Sequence, residues 1–203
     1  MIQLSQIVDD FAHSIRAADS KRPRAVNVRS KEAFQPGIGP HCEARTVELV
    51  AREMYARRPQ EYQGRLGIGV TYPDAPRQKR DLCIGKAPLW EWAIEIKMLR
   101  LLGDNGKLND NIRMHILSPY PAHRSAITDC DKLALSPIAQ AKAILIYGYE
   151  HDEWPLVTAI EAFESLAGTR VRPGVRHCVE FKELVHPVHS AGSVFAWEIA
   201  APT

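Results

Sequence analysis

The chain predicts an α/β fold in which a mixed sheet is flanked by helices, and three stretches carry that expectation. Ala143-Ile144-Leu145-Ile146-Tyr147 is a continuous apolar run of strand length, suited to a strand covered on both faces. From Trp90 to Met98 the even positions are large and apolar, while Glu91, Ala93, Glu95 and Lys97 take the odd ones, the period-two pattern of a strand with one core face. Leu156, Ile160, Phe163 and Ala167 recur at helical spacing between Pro155 and Gly168, residues that suit the start and the end of a helix.

The remaining elements follow in chain order. Leu4, Ile7, Val8, Phe11 and Ile15 form one stripe of an amphipathic first helix, read as an accessory element. Periodicity then disappears from Ser20 to Gly39, where Lys21, Arg22, Arg24, Arg29 and Lys31 make the clearest basic segment, either a solvated loop or a phosphate-contacting arm. A second helix is expected from Pro40, with Ala44, Val47, Ala51, Met54 and Tyr55 on one face, ending before Pro59. Arg65 to Tyr72 is followed by a turn-rich piece, Pro73 to Lys79, and by a short strand over Arg80 to Gly85. Residues 101–121 are rich in Gly, Asn and Pro and read as loop, before a helix around Ser125 to Leu135. Val175 to Val188 and Val194 to Ala200 read as a closing β-hairpin joined by residues 189–193. The 203 residues are expected to make one domain, with its core over about residues 37–168, an N-terminal helix and basic loop before it and the hairpin after it.

Composition narrows the class without naming a function. At 45% hydrophobic and 25% charged residues the chain has an ordinary globular composition, and a net charge of +2 is too small to argue for a polyanionic partner without local clustering. Cys42, Cys83, Cys130 and Cys178 form no CxxC pair and no signal-peptide pattern opens the chain, so free thiols in a reducing cytoplasm are expected. No apolar run is long enough for a bilayer, so no membrane association is expected.

If residues 81–85 and 91–95 pair as a hairpin about Pro88, the antiparallel register sets Asp81 opposite Glu95, and period two places Lys97 beside Glu95. Two acids and a lysine on one patch of sheet suit metal-assisted phosphodiester hydrolysis. Paired carboxylates are hard oxygen ligands for Mg²⁺, with Mn²⁺ as a substitute. The lysine can orient or deprotonate the attacking water, or offset charge at phosphorus. Asp81, the hairpin and Trp92-Ala93-Ile94-Glu95-Ile96-Lys97 resemble the PD-(D/E)xK nuclease superfamily of restriction-endonuclease-like proteins. The order helix, three-stranded meander, helix, strand resembles that family's core as well. The resemblance implies a restriction-endonuclease-like sheet, DNA as substrate and a cation held by Asp81, Glu95 and the Ile96 carbonyl, with a twofold dimer possible by analogy. It also implies a glutamate in the first core helix: Gly39-Pro40-His41-Cys42-Glu43 is similar to the family's Gly-x-x-x-Glu form, with Glu48 as competitor. The literal Pro-Asp dipeptide is Pro73-Asp74, which leaves Asp74 as rival to Asp81.

Other candidates are weaker. His186-Pro187-Val188-His189, His177-Cys178 and His41-Cys42 lack the ligand spacing of a structural zinc site. No Gly-Lys-Ser/Thr follows Gly64, Gly67 and Gly69, and no Gly-x-Ser-x-Gly is present, which excludes a nucleotide-phosphate loop and a serine elbow. Arg124 or Lys132 can reach a phosphate at the rim of the site, and Trp90 or Trp92 can stack a base, although Trp92 has core parity. The expected function is a Mg²⁺-dependent deoxyribonuclease; the alternative is a nuclease-fold protein that binds nucleic acid or a protein partner without cutting.

Overall fold

The computed structural model describes residues 1–27, 30–72, 75–109 and 112–201. Helix α1 (Leu4–Ser20) turns the apolar stripe seen in the sequence onto a sheet, and Ile7, Val8, Phe11 and Ile15 are fully buried there. Far from being an accessory, α1 is core. Two buried aspartates on it also bind distant backbone and side chains. Asp10 accepts from the Tyr62 hydroxyl at 2.7 Å and from Arg58 at 2.8 Å. Asp19 accepts the amides of Ile38 at 2.8 Å and Val185 at 2.6 Å. Each removes orphan donors from the interior, where an unpaired polar group is costly.

Helix α2 (Glu43–Arg57) starts three residues later than Pro40 because residues 38–41 close a turn, His41 N–H to Ile38 C=O at 3.1 Å. Cys42, with extended backbone, is the cap. A short α3 (Pro59–Tyr62) leads into β1 (Leu66–Tyr72), β2 (Ala75–Lys86) and β3 (Leu89–Leu99). The stretch after Tyr72 read as turn-rich is therefore strand from Ala75, while Pro73 and Asp74 lie outside the described residues. After β3 come α4 (Met114–Leu117), a 3₁₀ turn (Pro121–His123), α5 (Ala126–Leu135), β4 (Ala139–Tyr149) and α6 (Leu156–Ala167). The chain ends with β5 (Arg172–Pro173), β6 (His177–Phe181) and β7 (Gly192–Ala200).

The seven strands form one mixed sheet in the order β1-β2-β3-β4-β7-β5, with β6 also on β7. Among the described residues only β3 and β4 pair in parallel; the other pairings are antiparallel. The expected closing hairpin is present as β6 and β7, but it is not an appendage, because β7 lies against β4 along Ala143–Tyr149. Its first strand is shorter than the sequence pattern suggests. Past Phe181 the chain leaves the sheet in a loop closed by Leu184 N–H to Ser190 C=O.

Both faces of the sheet are covered, which explains the unbroken apolar run in β4. Leu82, Ile84, Trp92, Ile94, Ile96, Leu145 and Tyr147 pack with α1 and α2. Cys83, Ala93, Ile144, Ile146 and Trp197 pack with α5 and α6. The alternation of β3 breaks at Trp90, which joins the α5/α6 side. The cause is a register shift at Ile84/Gly85, where Gly85 has φ +125° and a Cβ would lie 2.6 Å from the Glu91 amide. Trp92 is buried, its indole N–H donating to the Ile2 carbonyl at 2.9 Å, and is unavailable to stack on a base. Among the described residues no helix is long and apolar enough to cross a membrane.

Candidate functional site

The register that pairs Leu82 with Ile94 sets Asp81, one step on, opposite Glu95. The strands hold Asp81 tightly: its Oδ2 accepts the Ile96 amide at 2.8 Å, across the hairpin from Glu95. Glu95 is 2% exposed and accepts a hydrogen bond from the Tyr72 hydroxyl. Tyr72 reaches it from the end of β1, after Gly69, whose φ of +64° redirects that strand opposite Asp81. The guanidinium of fully buried Arg80 lies 4.3 Å from the centre of the Tyr72 ring and donates to the Thr71 carbonyl.

Lys97 follows on β3, and helices on the two sides of the sheet supply its partners. From α5, Asp129 Oδ2 stands 2.7 Å from the Lys97 ammonium, and its other oxygen pairs with Lys132. From the first turn of α2, Glu43 Oε1 stands 3.8 Å from the same ammonium while Oε2 accepts the Met98 amide at 2.7 Å. Glu48, the competitor, instead pairs with Arg45 at 2.6 Å and is half exposed. The four residues singled out in the sequence are thus brought together. Asp129 and Tyr72 join them.

Asp129 was legible in principle. Ala126, Asp129, Cys130 and Leu133 make one helical stripe, and a carboxylate inside an apolar stripe marks a buried partner; Asp129 is 1% exposed. Ser125 caps this helix by accepting the Thr128 amide, fixing the turn that carries Asp129. Tyr72 carried no such signal, because its approach to Glu95 depends on the positive φ at Gly69 and the register shift between Thr71 and Tyr72.

The electrostatics follow from four acids and two ammonium groups crowded together, with Glu95 and Asp129 almost wholly out of water. Burial, then Asp129 and Asp81, raise the Glu95 carboxyl well above the carboxylate range. Burial also raises Asp81. Burial pushes Glu43 up to about 7, against the pull of Lys97. Burial works against the charge on Lys97, but Glu43 and Asp129 outweigh it and raise its ammonium above the ordinary lysine range. The cluster is short of positive charge.

Asp81, Glu95, Lys97 and Asp129 form the floor of a cavity of about 530 Å³ whose walls bring Arg77, Lys79, Arg124 and Lys132. A second hollow of about 520 Å³, lined by Glu43, Met98, Ile112, His115 and His123, shares Lys97 and Arg124 with the first. Arg124 has φ +48°, a strained position for a non-glycine residue. The basic segment at residues 20–39 lines neither hollow; Lys21 pairs with Glu53, and Arg29 lies outside the described residues.

A separate cluster joins Asp104, His186 and His189, whose ligand atoms lie within 4.8 Å of one another. The histidine-loop spacing gave no hint of it because Asp104 comes from the loop after β3. Its donor chemistry does not fit a metal. The Nδ1 of His186 accepts the amides of Val188 at 3.2 Å and His189 at 3.3 Å, so the ring proton sits on Nε2, the atom that would face an ion. His189 Nε2 lies 3.3 Å from Asp104, and the two rings stack at 4.7 Å. Gly37 and Gly39 press against this pair, since Cβ atoms there would fall within 3.2 Å of His186 N and 2.7 Å of the His189 ring. The cluster buttresses the loop that delivers Glu43.

The four cysteines are unpaired, with Cys83 and Cys130 buried and their thiols raised by burial, Cys83 to about 12, so neither is poised as a nucleophile. Comparison with protein-family models, curated protein sequences and solved structures finds no match to this chain.

Proposed function

We propose that this protein is a divalent-metal-dependent nuclease of restriction-endonuclease-like fold that hydrolyses DNA phosphodiesters. The observation that carries the reading is the convergence of Asp81, Glu95 and Lys97 from two paired strands on one cleft walled by arginines and lysines. The donor set fits Mg²⁺ or Mn²⁺. The site holds more acid than base, its acids are raised by crowding and burial, and hard oxygens are what these ions take. Asp81 and Glu95 would hold the ion, with the Ile96 carbonyl between the motif residues as the family pattern has it. A bound cation supplies Lewis-acid polarisation and an acidified water.

The chain's own residues do the rest. Arg77, Lys79 and Arg124 draw in the polyanion and seat its phosphates. Tyr72 holds Glu95 in one orientation through its hydroxyl. Lys97, kept protonated, offsets charge that builds on phosphoryl oxygens, which favours an electrostatic role over that of a base. Water's oxygen joins phosphorus, the bond to the leaving sugar oxygen breaks, and that oxygen takes up a proton.

Incubating the protein with supercoiled plasmid and short duplexes, with Mg²⁺ or Mn²⁺ and then EDTA, tests this. Metal-dependent cleavage lost in Glu95→Ala and Lys97→Ala is expected; no cleavage, or cleavage unchanged in both variants, refutes it. A non-cleaving nucleic-acid-binding role is favoured by one observation, the engagement of Lys97 by Asp129 and Glu43. Metal-free duplex binding with no divalent-ion site identifies that case.

A further inference from the structure

We propose that Asp129 is a positioning residue that acts through Lys97: it fixes where the Lys97 ammonium stands in the cleft, and it shields the charge of Lys97 and Lys132 from the bound polyanion. The substrate part of this inference rests on the nuclease reading; the contact itself does not. Asp129 is 1% exposed, and its two oxygens each take one lysine, Lys97 at 2.7 Å and Lys132 on the other side. All three groups line the cavity, but Lys97 keeps 12% of its side-chain surface and Lys132 32% against 1% for Asp129, so Asp129 is the most firmly enclosed member of the trio. Asp129 itself is fixed by its helix. Ser125 caps that helix, and Ala126, Cys130 and Leu133 seat it on the sheet.

An anchored carboxylate that gathers two ammonium groups has two consequences of opposite sign. It lowers the attraction of the cleft for phosphate, and it places one ammonium at a single point beside Asp81 and Glu95. A residue needed only for folding would produce neither effect selectively.

The contact is tested in the wild-type protein by nitrogen-detected NMR of lysine ammonium groups. A protected Lys97 cross-peak, assigned with the aid of Lys132→Met, is expected to couple across the 2.7 Å ion pair to the Asp129 carboxylate carbon. Its absence overturns the proposal whether or not any variant folds. In Asp129→Asn, short-duplex affinity measured by anisotropy without divalent ions is expected to rise, and its log–log salt slope to steepen by about one. Turnover with Mg²⁺ is expected to fall on the order of 10²-fold with KM unchanged or lower. Weaker duplex binding in Asp129→Asn, or kcat equal to wild type, overturns the proposal. If the wild type shows the coupling but cleaves nothing, the nuclease reading fails while the Asp129–Lys97 contact stands.

Discussion

Replacing Glu43 with glutamine is expected to stabilise the protein at alkaline pH and to leave it unchanged in acid. The carboxyl sits at the head of α2 with one oxygen on the Met98 amide, and burial pushes it from 4.5 up to about 7. A carboxyl with a raised folded pKa holds its proton in the fold at pH values where the unfolded chain has lost it. Protonation therefore contributes stability as pH falls from 7 to 4.5, and the ionised form costs stability above 7. The full span corresponds to at most about 3 kcal/mol, and the 31% exposure of the side chain lets water screen part of it, leaving about 1–2 kcal/mol. Glutamine keeps the acceptor for Met98 and removes the charge. At about 2–4 °C per kcal/mol for a chain of this size, the variant should melt about 2–8 °C higher at pH 8.5 and level with wild type at pH 4.5. Thermal unfolding followed by circular dichroism in EDTA reads this. A Glu43→Gln difference of the same size at both pH values, or a loss of stability at pH 8.5, would refute the placement of Glu43 as a half-buried, charge-crowded acid.

Two further substitutions separate site from scaffold. Tyr72→Phe removes the hydroxyl that orients Glu95 and should lower divalent-ion affinity or turnover about 10-fold to 100-fold, with little change in duplex binding measured without metal. An unchanged metal titration would count against that role. Asp19→Ala leaves the amides of Ile38 and Val185 without an acceptor inside the protein and should cost about 2–5 kcal/mol in urea unfolding, far from the cleft. A loss below about 1 kcal/mol would show that water replaces the clamp.

Most of the strands and long helices were legible because burial follows hydrophobic period: β3, β4 and α6 come straight from alternation, an apolar run and a helical stripe. The shared neighbourhood of Asp81, Glu95 and Lys97 was legible for the same reason, since parity and one hairpin register fix it. Other features depend on events that a periodic pattern does not encode. A bulge at Gly85 moves Trp90 to the opposite core, and a positive φ at Gly69 precedes Tyr72 on its way to Glu95. The role of α1 as core depends on tertiary packing, because an amphipathic helix at a chain end looks the same whether it covers the sheet or stands beside it. Asp104 and His186 are 82 positions apart in sequence and meet only through loop packing, which no local spacing anticipates.

The central claim, that Asp81 and Glu95 form a divalent-cation site, is tested most directly by titrating the wild-type protein and Asp81→Asn with MnCl₂ in a calorimeter at pH 6.5, in buffers of different ionisation enthalpy. Because burial and the neighbouring Asp129 and Asp81 raise Glu95 well above the carboxylate range, cation binding is expected to release a proton, so saturable binding with a buffer-dependent heat is expected in the wild type and its loss in Asp81→Asn. Absence of saturable heat in the wild type, or an identical isotherm in the variant, would contradict the account.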